Sequence, residues 1–382
     1  NMNVLIFYIY YNMEPQITSI VEDNNVLKFT ISKIDHSLAN SLRRICLSDI
    51  PTFVFKTFPH SENKVNITIN TTRLNNEIIK QRLGCIPIHI TDIDFPYQEY
   101  VIELDKKNDS DTVQYVTTQD FKIKNINTNK YLSENATHEI FAPNNLTGDY
   151  IEVARLRPRL SADIAGEQLQ FNSTLDIGTC KEDGMYNVVS TCAYGNTVDM
   201  VQANDVWNDK KKELKKLDKT EEEIEYEKKN WFMLEAKRIT IPLSFDFTVE
   251  SVGVYSNFNI MNKSSSIMID KCKSFIELLD KGKVDIIPTE DSTVNNEYTI
   301  TLENEDYTLG NPLVYFLYTN YYEKRKTVSF VGFRKPHPHI PKSVIRLAFQ
   351  THTDVSTVVE YLIESANNTI KTFQHIQKTF SE

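Results

Sequence analysis

The sequence lacks the features that mark a membrane-spanning or disulfide-stabilised protein. No run of eighteen apolar residues occurs in its 382 residues, which excludes a transmembrane helix. Its five cysteines are scattered without a CxxC pair, which excludes a disulfide framework and the common zinc patterns and fits a reducing compartment. Residues 1–13 show neither the basic segment nor the cleavage site of a signal peptide. We expect them to form a disordered extension.

Positive charge is also scarce. The chain has 42 Lys and Arg against 52 Asp and Glu, a net charge of −10 and a pI near 5.4. It therefore lacks the broad positive field that non-specific nucleic-acid binding requires, and little or no direct contact with nucleic acid is expected. With 40% hydrophobic residues the chain can bury real cores, and at roughly 150 residues per domain it should contain two or three domains.

Recognisable catalytic motifs are missing as well. The sequence contains no phosphate-binding GxxxxGK[ST], no GxGxxG, no GxSxG and no HExxH. Asp92 and Asp94 are more typical of a turn than of a magnesium site, and His337 and His339 have no third ligand nearby in sequence. Cys46 on an apolar helix face is more typical of a core residue than of a nucleophile. We therefore predict no catalytic residue, no metal and no cofactor.

An internal repeat organises the chain. Residues 35–46 align without gaps on residues 306–317, with Asp, Leu, Asn and Leu identical. The same alignment, continued towards the amino terminus, places the alternating apolar residues Leu27, Phe29 and Ile31 on an equally alternating segment. Each unit is predicted to be a strand, a short acidic loop and a helix. A strand–turn–helix unit can recur by chance, but the shared register favours duplication.

The helix starts carry capping signals. Ser37 and Thr308 are predicted N-caps, because their hydroxyls can accept from the N–H groups of the first turn. Pro312 is then expected within the first turn of its helix, where a missing N–H costs nothing.

Apolar stripes on these helices predict an intramolecular pseudo-dimer, in which the two related units pair as homodimers do. Two further helices, at about residues 259–280 and 354–380, are available to cover the pair, although such stripes are more often ordinary core. The residues predicted at the pseudo-dimer interface are Leu38, Leu42, Ile45, Leu309, Leu313, Phe316, Leu362 and Phe373.

The predicted fold class is therefore α+β: two dimerisation domains forming the pseudo-dimer, the first interrupted by a mostly β insertion domain. The domain layout follows from turn clusters and charge blocks. Its parts are residues 14–57 with 177–285 (first dimerisation domain), 58–176 (β-rich insertion), 286–382 (second dimerisation domain) and 205–238, a charged helical excursion. The excursion is either a docking helix for another protein or a solvated helix, and the second interpretation is favoured.

Several motifs resemble those of a known family. The segments NSLRRICLSDIP (40–51), QRLGCIPI (81–88) and VESVG (249–253) resemble the α-like subunits of multisubunit RNA polymerases: the bacterial α amino-terminal domain, the archaeal D subunit and the eukaryotic third subunit. EDYTLGN (305–311) and VGFRKPHP (331–338) resemble the archaeal L and eukaryotic eleventh subunits. The chain thus resembles a fusion of two subunits that elsewhere pair as separate chains. It departs from the family pattern at Tyr307, usually histidine, at Pro312, and in having no cysteines spaced for zinc or an iron–sulfur cluster.

The resemblance implies a non-catalytic assembly platform of a DNA-directed RNA polymerase. The implied partners are the largest and second-largest subunits and the small zinc-binding subunits, with no membrane. Arg43 and Arg44 match the family's arginine pair, and at least one of them is expected to contact a large subunit. The alternative for these arginines is two solvated side chains on a helix.

The fusion and the Asn-, Ile-, Lys- and Tyr-rich composition resemble proteins of large DNA viruses. An intracellular location is then expected, in the host cytoplasm at a viral factory, with packaging in the virion left open. The alternatives are a structural or adaptor protein that uses the fold outside transcription, and an enzyme with a catalytic insertion.

Overall fold

The computed structural model describes residues 14–159, 161, 165–289 and 293–381. They form two compact units. One comprises the described residues up to Ile45, residues 191–250 and those from Asn257 onward; the other comprises residues 46–190 and 251–256. The disordered extension predicted at 1–13 lies outside the described residues. The domain bounds given above stay a prediction, and residues 46–57 and 177–190 group here with the inserted part.

The strands of the described chain are antiparallel wherever their register is defined. In chain order they are β1 (Gln16–Asp23), β2 (Val26–Ser32), β3 (Thr52–Val54), β4 (Val65–Asn70), β5 (Tyr100–Lys107), β6 (Gln114–Thr117), β7 (Lys122–Asn125), β8 (Lys130–Tyr131), β9 (Glu152–Leu156), β10 (Gln168–Ser173), β11 (Asp176–Gly178), β12 (Val189–Val198), β13 (Thr240–Ser251), β14 (Ile286–Pro288), β15 (Glu297–Glu303), β16 (Val328–Arg334) and β17 (Lys342–Phe349).

The α-helices of the described chain range from seven to twenty-five residues. They are α1 (His36–Ser48), α2 (Asn76–Gly84), α3 (Glu134–Ile140), α4 (Met200–Lys216), α5 (Glu221–Met233), α6 (Asn257–Asp280), α7 (Tyr307–Leu317) and α8 (Val355–Thr379). Within the described residues, none of them is both long and apolar enough to cross a bilayer.

The first unit contains two four-stranded sheets built on the same plan. Their strand orders are β1-β2-β13-β12 and β14-β15-β17-β16. Phe29 of β2 pairs with Phe247 of β13, and the equivalent pair in the second sheet is Ile300 with Ile345. The alignment of the repeats places Phe29 on Ile300, and the other residue pairs of the β2–β13 ladder correspond in the same way to pairs of the β15–β17 ladder. The α+β fold with two repeated domains is therefore confirmed.

The short helix of each repeat begins at an aspartate. The Asp35 carboxylate accepts from the backbone N–H of Ser37 at 2.8 Å, and Asp306 accepts from that of Thr308 at the same distance. The predicted caps Ser37 and Thr308 are therefore wrong, because both lie inside the first turn. A carboxylate one residue before the helix reaches these N–H groups and also suits the positive end of the helix dipole.

Pro312 lies deeper in its helix than predicted. It is the sixth residue of α7 and lies in the second turn, so the prediction of a first-turn proline is wrong. An N–H at this position would bond to the carbonyl of Thr308, so the helix lacks one internal hydrogen bond there. Beyond α7 the chain continues as a π-helical segment, Tyr318–Lys324.

The second unit is the β-rich insertion. Its main sheet has the order β4-β10-β5-β7-β8, with two small sheets formed by β6-β9 and β3-β11. Its core is aromatic, with Phe121 making edge contacts to Phe141 and Phe171 at 5.1 and 5.6 Å. A buried carboxylate, Glu167, accepts from the guanidinium and the backbone N–H of Arg157. Burial opposes its charge, but these hydrogen bonds outweigh burial and hold the pKa of Glu167 below its usual range.

The charged excursion consists of two helices, α4 and α5. Trp207 of α4 is buried and lies 6.4 Å from the rings of both Trp231 and Phe232 on α5. Thr220 and Glu223 form a reciprocal capping box at the start of α5. The excursion therefore has a small aromatic core beneath its charged surface.

Candidate functional site

The long helices of the two repeats pack against each other. α6 of the first repeat lies along α8 of the second. The Asn262 amide, near the start of α6, donates to the Phe380 carbonyl at 3.3 Å and accepts from the Gln377 side chain at 3.3 Å. Because the start of one helix meets the end of the other, the pair is antiparallel. The Phe380 ring also contacts Phe29 of the first repeat's sheet, with centroids 5.2 Å apart.

All eight residues predicted at the interface are buried, and none is more than 9% exposed. They lie in the first unit on three helices that carry the repeats: Leu38, Leu42 and Ile45 on α1; Leu309, Leu313 and Phe316 on α7; Leu362 and Phe373 on α8. Burial alone does not assign them to the pseudo-dimer contact, which stays a prediction for these side chains. The contact of Phe380 with Phe29 was not predicted, because the sequence of a helix end does not indicate which side chain a terminal aromatic residue will contact.

The two short helices meet directly through polar contacts. Ser41 Oγ lies 2.7 Å from the Thr308 carbonyl oxygen. Arg44 Nε donates to Thr308 Oγ1 at 2.9 Å, and its Nη2 donates to Asp306 Oδ2 at 2.9 Å. The side chains of Arg44 and Asp306 are 32% and 22% exposed, so water only partly screens this pair. The segments beginning at Asp35 and Asp306 are thus in contact.

A second ion pair lies beside the first. Lys271 Nζ on α6 lies 3.3 Å from Glu305 Oε1, which immediately precedes Asp306, and both side chains are about four-fifths buried. Sequence reasoning missed this pair. The only sequence feature that could have indicated it is the Glu305-Asp306 doublet, because the aligned residues of the first repeat are Ile34 and Asp35.

Comparison with known proteins identifies the family of the two repeated domains. A family model described as the RNA polymerase Rpb3/Rpb11 dimerisation domain matches residues 28–272, more than half of the chain. The chain belongs to this family. A second model of the same description matches residues 297–379, so the Rpb3/Rpb11-type domain occurs twice, once in each repeat.

The curated relatives are RNA polymerase subunits. Human DNA-directed RNA polymerases I and III subunit RPAC1 is 24% identical over 302 residues, covering 69% of this chain and 84% of the relative. Rpo3 of Pyrococcus furiosus is 25% identical over 293 residues, covering 70% and 98%. RNA polymerase II subunit RPB3 of Schizosaccharomyces pombe is 34% identical over 83 residues, covering 22% and 26%. The similarity supports a fused α-like subunit.

The two adjacent arginines that were predicted to contact a large subunit differ in their surroundings. The Arg44 guanidinium is engaged within the chain, as described above. Arg43 is partly buried, and its Nε and Nη2 donate to Asn40 Oδ1 at 3.1 and 2.9 Å. The predicted contact of this pair with a large subunit stays a prediction, and of the two guanidiniums Arg44 is the one that contacts the second repeat.

The remaining candidates of the sequence form local structures. Asp92 Oδ1 accepts from the backbone N–H of Asp94 at 3.1 Å, as in a turn. His337 Nδ1 accepts from the backbone N–H of His339 at 3.1 Å in an exposed loop. Cys46 is buried. Among the residues described, no group of three or more His, Cys, Asp or Glu is placed to hold a metal ion.

Proposed function

We propose that this chain is a non-catalytic assembly-platform subunit of a multisubunit DNA-directed RNA polymerase. The observation that carries the proposal is the occurrence of two Rpb3/Rpb11 dimerisation domains in one chain, joined through direct contacts between their equivalent helices. Fusing two domains that pair makes pairing intramolecular, at an effective concentration on the order of mM. The platform then does not depend on the balanced supply of two chains.

The proposed partners are the largest and second-largest polymerase subunits, with small zinc-binding subunits completing the assembly. Arg43 is the side chain that we propose for a large-subunit contact. Its planar guanidinium suits carboxylates and backbone carbonyls of a partner, and its hydrogen bonds to Asn40 hold it in place on α1. We assign Arg44 instead to the pairing of the repeats, in keeping with its bonds to Asp306 and Thr308.

We also propose a large DNA virus as the source, with the host cytoplasm as the location. The support is the Asn-, Ile-, Lys- and Tyr-rich composition of the fused chain.

Affinity purification tests the polymerase role. The tagged chain is recovered from cells that produce it, and bound proteins are identified by mass spectrometry. Recovery of the two large polymerase subunits in stoichiometric amounts is the expected result. Recovery with other proteins in place of polymerase subunits would indicate an adaptor role and contradict the proposal.

Two variants and a control locate the partner contact. Arg43→Glu should lower the recovery of the large subunits while the purified chain stays folded, with only the small loss of thermal stability that follows from losing the hydrogen bonds to Asn40. Lys273→Glu, at an exposed lysine of α6, is the matched charge reversal and should leave recovery unchanged. Arg44→Ala should lower thermal stability itself, because it removes contacts within the chain. Equal recovery with Arg43→Glu and Lys273→Glu would refute the assignment of Arg43.

A further inference from the structure

Around the short helices, three side chains of the first repeat donate to acceptors of the second. Ser41, Arg44 and Lys271 of the first repeat provide the hydroxyl, guanidinium and ammonium donors. The second repeat provides the acceptors: the Thr308 carbonyl and hydroxyl and the carboxylates of its Glu-Asp doublet. The first repeat is thus the donor side of this contact and the second repeat is the acceptor side.

The repeat alignment shows that the second repeat has no hydroxyl in place of Ser41 and no cation in place of Arg44 or Lys271. The alignment that begins at Asp35 and Asp306 places Ser41 on Pro312 and Arg44 on Tyr315. The correspondence that relates β13 to β17, continued into the long helices that follow them, places Lys271 on Thr369. Two copies of the second repeat would therefore present these acceptors to each other without the Ser41 hydroxyl and without either cation.

Pro312 makes the Ser41 contact more than an ordinary hydrogen bond. A proline has no N–H, so the Thr308 carbonyl does not receive its helical i→i−4 bond. Ser41 Oγ lies 2.7 Å from this oxygen and 2.9 Å from the Ser37 carbonyl of its own helix. In an α-helix the Ser37 carbonyl receives the backbone N–H of Ser41, so the hydroxyl proton is needed at Thr308. Ser41 and Thr308 are 1% and 4% exposed, so water cannot easily replace the hydroxyl.

We propose that the Ser41 hydroxyl supplies the hydrogen-bond donor that Pro312 removes from α7, and that this contact, with Arg44 and Lys271, makes the first repeat the required partner of the second. The surface around the start of α7 then fits a first repeat and rejects a second copy of itself. This inference concerns pairing within the chain and is independent of the polymerase role.

The related position in the other half of the interface lacks the hydrogen bond that Arg44 makes to Thr308. Thr308 Oγ1 accepts from Arg44, and the residues equivalent to this pair are Ser37 and Tyr315. The Ser37 hydroxyl is buried and has no hydrogen-bond partner among the described residues. A pairing of two second repeats would extend this deficit to a buried backbone carbonyl, whose desolvation is costly when no donor replaces water.

A double-mutant cycle on the full chain tests the compensation. Ser41→Ala is made with Pro312 and with Pro312→Ala, and the equilibrium constant of unfolding is measured by urea denaturation and by hydrogen exchange of α7 peptides. Ser41→Ala should raise that constant by about tenfold with Pro312 present. In the Pro312→Ala chain, where residue 312 donates its own N–H, the increase should be below about threefold.

Ser265→Ala provides the matched control. Ser265 is also fully buried in a helix, and its hydroxyl bonds to the carbonyl of Met261 four residues earlier at 3.0 Å. Its removal should have the same effect in both Pro312 backgrounds. An equal effect of Ser41→Ala in the two backgrounds would overturn the compensation.

The direction of the ion pairs is tested by exchange of charge. Lys271→Glu and Glu305→Lys should each raise the unfolding constant by about threefold to tenfold, and the double variant should recover most of the loss. Failure of the double variant to recover, with both singles destabilised, would show that this ion pair does not contribute to the pairing and would overturn that part of the proposal.

Discussion

Gly310 offers a test in which two physical effects predict opposite signs. It lies inside α7, where replacing glycine by alanine ordinarily stabilises a helix by about 1 kcal/mol. In the first repeat the equivalent residue is Ala39, which is buried. Helix propensity alone therefore predicts that Gly310→Ala is favourable.

The packing around Gly310 predicts the reverse. A Cβ at this position would lie 2.7 Å from Cζ of Phe333 and closer still to Cδ2 and Cε2, whereas ordinary contacts begin near 3.4 Å. The ring would have to withdraw from α7, against its edge contact with Tyr307 at 5.2 Å. Overpacking of this kind costs about 1–3 kcal/mol. The clash should exceed the gain in propensity, and we expect a net loss of about 1 kcal/mol.

Removal of the ring should reverse the sign. In a Phe333→Ala chain the added methyl has space, so Gly310→Ala should then stabilise by about 1 kcal/mol. The free energy of unfolding is measured by urea denaturation, with hydrogen exchange of α7 peptides to locate the change. Ala39→Gly is the control and should destabilise by about 1 kcal/mol or more, because it loses propensity and a buried methyl. A stabilising Gly310→Ala in the otherwise unchanged chain would refute the packing argument.

Two further predictions concern titration and thiol access. Because the pKa of Glu167 is lower in the folded chain than its usual 4.5, its charge stabilises the fold above about pH 4.5, and this stabilisation is lost as pH falls through the lower native pKa. Glu167→Gln should therefore lose less stability than the unchanged chain on acidification below about pH 4.5. The free energy of unfolding is measured for both chains by urea denaturation from pH 3 to 7. An equal acid slope in both chains would contradict the role of the Arg157 pair. Burial and the nearby Glu305 raise the pKa of the Cys272 thiol to about 12, so this thiol is buried and protonated at pH 8. A thiol reagent at pH 8 should label the exposed Cys85 and should label Cys272 only after the chain unfolds, as measured by peptide mapping. Labelling of Cys272 in the folded chain would contradict its burial.

The repeat could be found from sequence because its signals are local and periodic. A single alignment without gaps relates strand, loop and helix of the two repeats, and the structure keeps the same ladder register in both sheets. The bounds of α6 and α8 fell within two residues of prediction for the same reason. Apolar periodicity reports which face of a helix is buried, and the buried state of Leu42 and Leu313 agrees with it.

What sequence could not supply was the choice among nearby polar groups. Asp35 and Ser37 are both good caps, and only the backbone path decides that the aspartate accepts from the first turn. Arg43 and Arg44 are adjacent and chemically identical, yet a rotation of about 100° around the helix directs only Arg44 to the second repeat. Such differences arise from geometry, so a family motif cannot separate the two roles.

The departures from strict repetition carry information about how the two halves came to depend on each other. In a symmetric pair, each favourable contact occurs twice, and neither half distinguishes its partner from a second copy of itself. Here Pro312 removes a donor on one side and Ser41 supplies one from the other, so the defect and its remedy lie in different repeats. Specificity requires a penalty for the wrong pairing as well as a gain for the right one, and a buried carbonyl without a donor provides that penalty. Pro312 would then stabilise no contact by itself, and its effect would be to restrict which helix can pack against α7.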